Sequence, residues 1–514
     1  MGRRFRLNLG GPGRNRTTDT RIFNPLLYQL SYQAKRGMII ASDFQSRKCP
    51  RSISWITAGA MVGRAAFRRS RFQNSGAADC QTPAPPIATP GRSGLGGATL
   101  AYRYNAPMTT PTTTTTRSDV CIVGNGAIAK TAALGFAQAG HSVTLLAPPA
   151  RKAQDGATAS AAERPWDVRV YALNHTAHDL LASLKVWGAL DLARVAAVDA
   201  MDVNGDGEGG GKLGFDAFGA RVGTLAWIVE DSNLNGALDA ALKFAHNVHQ
   251  VSGIACELSC SEVGAAIRLE DGRRLECELL VGADGRESWV RGQCDIGVDY
   301  RQYHQRAIVT NFACDKPHHG VAYQWFTCSD GIIALLPLPG NRVSLVWSAP
   351  ETLADTLMDE SLGELAIRLG EYADDKLGTL RPLQPEAVAA VPLALIKPHA
   401  IVAPRVALVG DAAHAVHPLA GHGMNLGFGD VVDLLTAVRE REQRRAIGDE
   451  RVLARYARKR KEDVLMMQLA TDGLERLFGA NLEPLRVARN FGLNLLDKMP
   501  ALKRRLMAHA MGKA

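Results

Sequence analysis

The feature that most constrains this chain is a short apolar run that ends on glycines. Asp119-Val-Cys-Ile-Val123 leads into Gly124-Asn-Gly126-Ala-Ile-Ala129, and an alanine-rich stretch continues to Gln138. Gly140 follows, and a second apolar run covers Val143 to Leu146. The periodicity reads strand, tight turn, helix, strand. Gly124 admits the turn, Gly126 lets an anionic group approach backbone at a helix N-terminus, and Ala129 must seat its methyl where helix meets strand. Gly140 suits a left-handed helix C-cap. Such an opening predicts an α/β chain with a parallel sheet. Ala147 stands where a carboxylate for an adenosine ribose is expected. A P-loop reading of Gly124 to Thr131 fails because Ala129, not glycine, precedes Lys130, and consecutive amides could not wrap a phosphate. Lys130 is then expected as a solvated first-turn lysine.

Two later segments repeat the logic of a strand delivering an acid onto a glycine turn. Leu279-Leu-Val-Gly282-Ala-Asp284-Gly285 is followed by Ser288, a candidate helix cap. Val406-Ala-Leu-Val-Gly410-Asp411-Ala-Ala-His414-Ala-Val-His417-Pro418-Leu-Ala-Gly421-His-Gly423-Met-Asn425 puts Asp411 at the carboxyl end of a buried strand, where open α/β sheets bind ligands. The glycines then bring bare backbone to the start of another helix, whose positive end suits an anion. Asp411, His414, His417 and His422 crowd this segment, yet the Pro-Leu-Ala-Gly turn does not set the imidazoles on one helix face, so no metal is expected.

In this order and spacing, G-x-G-x-x-A, G-A-D-G and G-D-A-A-H-x-x-x-P-x-x-G-x-G-x-N resemble the class A FAD-dependent aromatic hydroxylases. Finer agreement, including Asp167-Val-Arg169-Val-Tyr-Ala-Leu173, Tyr303-x-Gln305-x-Ala307 and Leu335-Leu-Pro337-Leu, resembles the ubiquinone-biosynthesis hydroxylases and runs from about residue 118 to 512. The resemblance implies FAD held by Gly124, Gly126, Ala129, Arg169, Asp284, Gly410, Asp411, Gly421, Gly423, Met424 and Asn425, with His417 and Pro418 beside the reacting centre. It implies NADPH or NADH as co-substrate and hydroxylation of a lipophilic phenolic ring, a polyprenylated ubiquinone precursor, through a flavin C4a-hydroperoxide. His304, His414, His417 and Tyr303 are candidate bases on chemistry alone. The alternative is a flavin-binding structural subunit of a quinone-biosynthesis assembly with little turnover, suggested by Ala147 and by His422 where the family has glutamine.

The implied architecture is a doubly wound, glutathione-reductase-like FAD-binding domain (118–190, 230–292 and 397–440) interleaved with a mixed β-sheet substrate domain (191–229 and 293–396). Helices are expected over 441–514, and a glycine-rich loop over 202–212. The nine cysteines lack CxxC spacing, which argues against structural zinc or a disulfide framework. Charge separates the ends of the chain: residues 1–107 hold 17 Lys/Arg against three acids, whereas 108–514 hold 43 against 48. The basic excess belongs to residues 1–107, ahead of a start read at Met108; the leader as a whole, 1–117, reads as non-native or disordered sequence, and nucleic acid is not an expected partner. Basic clusters at 458–461 and 503–505 suggest peripheral docking on the inner face of a membrane by an otherwise cytoplasmic protein, within a quinone-biosynthesis complex.

Overall fold

The computed structural model describes residues 114–149, 165–205, 210–384, 387–415 and 422–479, with 497, 499, 511 and 512. All lie in the unit spanning Tyr104–Ala514. The leader up to residue 113 and the Lys503–Arg505 cluster lie outside the described residues.

The chain enters as β1 (Thr115–Val123), forms α1 (Ala127–Gln138) and returns as β2 (Val143–Ala147). β1 takes in Thr115 to Arg117, which the sequence had left in the leader, because the threonine run pairs with the strand beginning at Arg274. Val120, Cys121 and Ile122 are fully buried, as a strand covered on both faces requires. Next come β3 (Val170–Leu173), α2 (His175–Ser183), β4 (Ala196–Val198), β5 (Ala200–Asn204), β6 (Lys212–Asp216), α3 (Ala217–Ala220) and β7 (Ala226–Glu230). Then follow α4 (Asp231–Phe244), β8 (Val248–Ser252), β9 (Ala255–Cys260), β10 (Ala265–Leu269) and β11 (Arg274–Gly282). In α4, Leu234, Ala237, Leu238 and Leu242 repeat at helical spacing and are the buried face.

The second half contains α5 (Trp289–Gln293), β12 (Val298–Cys314), β13 (Val321–Phe326), β14 (Ile332–Leu338) and β15 (Arg342–Pro350). It continues through α6 (Glu351–Asp359), α7 (Leu362–Leu377), β16 (Leu380–Pro382), β17 (Ala389–Pro398), β18 (Val402–Ala403) and β19 (Val406–Leu408). Two helices, α8 (His422–Arg439) and α9 (Glu450–Gly479), follow.

The first sheet has the order β18-β19-β11-β1-β2-β8, parallel from β19 to β8, with β10 and β9 attached antiparallel through β11. One face packs on α1, α2, α4 and α8 through Phe136, Leu181, Leu238 and Phe428. The second sheet, β16-β12-β15-β14-β13-β5-β6 with β17 on β12, is antiparallel except where β5 meets β13. Its core joins Phe312, Leu345 and Trp347 to the buried stripe of α7, whose start carries a Ser361–Glu364 capping box. Each such buried aliphatic or aromatic side chain contributes about 1.5–3 kcal/mol.

Two expectations shift. β3 and β4 both pair with the central strand β7 in a three-stranded sheet, so a boundary at 190 and at 229 cuts through one hydrogen-bonded unit. The two ends of the glycine-rich stretch are tied together, with β5 running through Asn204, β6 starting at Lys212, and Gly205 N–H donating to the Gly211 carbonyl at 2.7 Å; residues 206–209 lie outside the described residues.

Candidate functional site

The three motif strands, β1, β11 and β19, are consecutive neighbours, so their carboxyl ends lie side by side. Hydrogen bonds zip them to their tips: Ala283 N–H to the Val123 carbonyl at 2.8 Å and Val409 N–H to that of Gly282 at 2.9 Å. Gly124 has φ +141°, and a Cβ there would sit 2.2 Å from the Ala283 carbonyl oxygen. Its pressed neighbour on the helix side is the Ala129 methyl, which fits only because residue 124 has no side chain. Gly126 is the N-cap of α1, has no side chain to cap it, and would meet nothing within 4 Å if it carried a Cβ. The first intrahelical bond runs from Lys130 N–H to the Gly126 carbonyl at 3.1 Å, which leaves the preceding amides for an anion.

Lys130 is not solvated. It is 5% exposed, pairs with Asp239 at 2.7 Å and donates to Asn235 at 3.2 Å, so it serves the α1–α4 contact. Gly140 has φ +89° just past α1, the expected cap.

At the second motif, Asp284 Oδ2 accepts from Val290 N–H at 2.9 Å at the start of α5, where Ser288 caps as expected. Asp284 Oδ1 is buried and has no hydrogen-bond partner among the described residues, an acceptor left for a donor from outside them. Arg291 Nη1 donates to the Ala412 carbonyl at 3.0 Å and ties the second motif to the third.

At the third motif, Gly410 has φ +61° and Asp411 is exposed on a short turn. Ala415 and Ile396 of β17 exchange both backbone hydrogen bonds at 3.0 Å, which joins this turn to the second sheet. His417, Pro418 and Gly421 lie outside the described residues. Gly423 faces open space, and Met424 packs on the first core. The Asn425 side chain is already engaged: its oxygen accepts from Asn174 N–H at 2.9 Å and its amide donates to the Ala172 carbonyl at 2.7 Å. That side chain ties α8 to the β3–α2 turn.

Arg169 is exposed and shares the Tyr171 phenol with Asp231, whose carboxylate accepts from it at 2.8 Å. Burial and Asp231 push Tyr171 well above its ordinary value, so it remains a donor. Asp167 anchors the segment: its N–H donates to Glu230 at 2.7 Å, its carboxylate accepts from Arg169 and Ser232 N–H, and its carbonyl accepts from Asn311 of β12. Glu230 is fully buried against Arg194 at 2.6 Å.

Of the candidate bases, His304 is exposed on a bulge of β12, and Tyr303 is buried with Ala307 and Leu393. His414 is buried, and its Nε2 lies 2.7 Å from Asp430 of α8. Asp430 and its partner Arg460 of α9 escape the sequence reading, which places Arg460 in a basic cluster for membrane docking; Arg460 is 3% exposed and buried against Asp430. The available signal was a pair of acids, Asp430 and Asp433, in an otherwise apolar helix. Burial opposes ionisation of Asp430, but His414, Arg460 and Gly410 N–H hold it below the usual carboxylate range. Among the described residues no group of three or more His, Cys, Asp or Glu gathers as a metal site, and no helix is long and apolar enough to cross a membrane.

A family profile described as an FAD binding domain matches residues 246–468. The chain is 34% identical over 401 residues to 3-demethoxyubiquinol 3-hydroxylase of Escherichia coli, covering 77% of this chain and 98% of that protein. It is 34% identical over 405 residues to ubiquinone hydroxylase UbiL of Rhodospirillum rubrum, covering 77% and 90%. It is 30% identical over 456 residues to the Drosophila melanogaster mitochondrial ubiquinone biosynthesis monooxygenase COQ6, covering 80% and 93%. Among solved structures it shares its fold with Pseudomonas aeruginosa PqsL in complex with 2-aminobenzoylacetate, at TM-score 0.60, 23% identity and coverage of 73% and 100%. Klebsiella pneumoniae HpxO, complexed with FAD and uric acid, aligns at TM-score 0.58 and 18% identity, covering 76% of this chain and 97% of that one.

Proposed function

This chain belongs to the FAD-dependent hydroxylases of ubiquinone biosynthesis, and from that premise we propose that it hydroxylates the phenolic ring of a polyprenylated ubiquinone precursor with NAD(P)H and O₂. It is an FAD-dependent aromatic monooxygenase. The observation that carries the site assignment is the convergence of three glycine turns at adjacent strand ends.

The residues there fit FAD. An uncapped helix start lined by Gly124, Gly126 and Ala129 suits a pyrophosphate, and the unsatisfied Asp284 Oδ1 suits a hydroxyl donor. Exposed Asp411 suits the ribitol hydroxyls. When bound, FAD supplies electron transfer from NAD(P)H and activation of O₂. The chain's own work is to bind and orient it and to exclude water. Gly410, Gly423 and Met424 bring backbone to the positive end of α8, which favours the negative charge of reduced flavin, and Asn425 holds that helix to the β3–α2 turn. Arg169 is assigned to the cofactor's anionic part, and His417 and Pro418 to the edge of the reacting centre. His414 is spent on Asp430 and His304 faces solvent, so neither serves as the phenol's base.

A lipophilic substrate calls for access to the membrane. Exposed Leu465 and Met466 of α9 beside Arg458, Lys459 and Lys461 support a peripheral contact with an anionic surface, within a quinone-biosynthesis complex. The test is direct. The purified full chain should carry a flavin spectrum, oxidise NAD(P)H with a short-chain ubiquinol-precursor analogue, and add one oxygen to the product mass. Absence of bound FAD would sink the reading, and NAD(P)H consumption yielding only peroxide would leave a binding subunit or a different substrate. Flotation with anionic liposomes tests the membrane contact.

A further inference from the structure

We propose that Asp430 is a positioning residue for the cofactor: it pins both ends of the Gly410–His414 turn so that Asp411, between them, is presented to FAD, and Arg460 holds Asp430 in place. The inference deepens the assignment of that turn to FAD and rests on it.

The geometry is specific. One carboxylate oxygen, Oδ2, accepts from Gly410 N–H at 2.8 Å and from His414 Nε2 at 2.7 Å. The other, Oδ1, accepts from Arg460 Nε at 2.6 Å. Arg460 also reaches Asp433 at 3.1 Å, Asp463 at 2.8 Å and the Leu426 carbonyl at 3.3 Å, so its orientation is fixed from three further directions. The helix that carries Asp430 lies flush on the first motif: a Cβ at Gly427 would meet Ile128 at 2.9 Å and the Gly410 Cα at 3.2 Å. Tyr456, one turn before Arg460, donates to the Leu408 carbonyl at 2.7 Å and fixes the strand just ahead of the turn. Of the pinned residues Gly410 to His414, only Asp411 is exposed.

The experiment measures FAD affinity by titrating the apo form of the full chain, alongside thermal melting. Asp430→Asn should weaken FAD by about tenfold or more, because an amide nitrogen replaces one acceptor oxygen. His414→Gln, which leaves the Asp430–Arg460 pair intact, should weaken it severalfold and decides the matter if the first variant does not fold. Arg460→Lys should recover most of the affinity that Arg460→Met loses. Leu369→Ala, in the core of the second sheet, should lower the melting temperature yet leave FAD affinity within about twofold. Asp430→Asn and His414→Gln at wild-type affinity, with Asp411→Ala weakened, would overturn the positioning role and keep the FAD turn. Wild-type affinity in Asp411→Ala as well would overturn the turn's assignment. An equal loss in Leu369→Ala would reduce the effect to general destabilisation and overturn the proposal.

Discussion

Two glycines of the first motif, two residues apart, should fail in opposite ways when given a methyl group. At Gly124 the backbone has φ +141°, and the new Cβ would lie 2.2 Å from the Ala283 carbonyl oxygen and 2.7 Å from its carbon. Those atoms are backbone, locked by Ala283 N–H to the Val123 carbonyl, and cannot swing aside. Overpacking costs about 1–3 kcal/mol and a forbidden φ about 1–3 more, so Gly124→Ala should lose about 2–6 kcal/mol. For a domain of ordinary size that lowers the melting temperature by roughly 4–24 °C. At Gly126, φ −80° and ψ 173° are open to any residue, and nothing lies within 4 Å. Gly126→Ala should therefore melt within a few degrees of the parent, since an N-cap change from glycine to alanine costs about 1 kcal/mol or less. Its methyl projects into the space assigned to the pyrophosphate, so FAD affinity should drop at least about tenfold, or 1.4 kcal/mol. Melting curves of the apo forms and FAD titrations of the same samples separate the two effects. Unchanged melting of Gly124→Ala, or unchanged FAD affinity of Gly126→Ala, would refute the reasoning at that position.

Three other outcomes follow from the buried charges. Lys130→Met should keep stability within about 1 kcal/mol, read by urea midpoint, because its partner Asp239 is half exposed and is left in water. Glu230→Gln should cost about 3–5 kcal/mol, because it leaves Arg194 facing no carboxylate in a buried site; a midpoint equal to wild type would show the pair to be dispensable. Asp430 has its folded value below the ordinary 3.8, so its contribution is whole above about pH 4 and is lost as pH falls through that lower value. Between pH 7 and 3 the urea midpoint should fall further in the wild type than in Asp430→Asn, which has no proton to take up there.

The parts of the fold legible in the sequence were those where a local pattern has one physical solution. Val120 to Val123 is apolar on both faces and ends on glycine, which only a central parallel strand running into a helix satisfies. Ser288 ahead of α5 and Gly140 after α1 were readable as caps for the same reason. What escaped was decided by partners far away in the chain. Nothing local in Arg458-Lys-Arg-Lys461 distinguishes Arg460 from its neighbours; its burial follows from Asp430, thirty residues earlier, on a helix packed beside it. Lys130 likewise reads as solvent-facing until α4 supplies Asp239 and Asn235. Asn425 stands out in the sequence, but its partners, Asn174 and Ala172, lie more than two hundred residues upstream, so its part in tying two elements together is not readable locally.

The ionic cluster behind the third motif also bears on why such a site is built with charges at all. Asp430 and Arg460 sit in surroundings where aliphatic side chains of similar volume would hold α8 on α9 as well or better, since burying a carboxylate and a guanidinium costs several kcal/mol of lost hydration per ion. An apolar contact, however, has no direction. It could hold the helices together while the Gly410–His414 turn slid by an ångström. A single oxygen accepting from both ends of the turn fixes their separation, and a guanidinium donating to that carboxylate and to three other acceptors fixes the oxygen. The charges thus supply geometry at the place where Asp411 leaves the strand, and the same arrangement does not recur behind Gly124, where close packing of backbone against backbone already sets the distance.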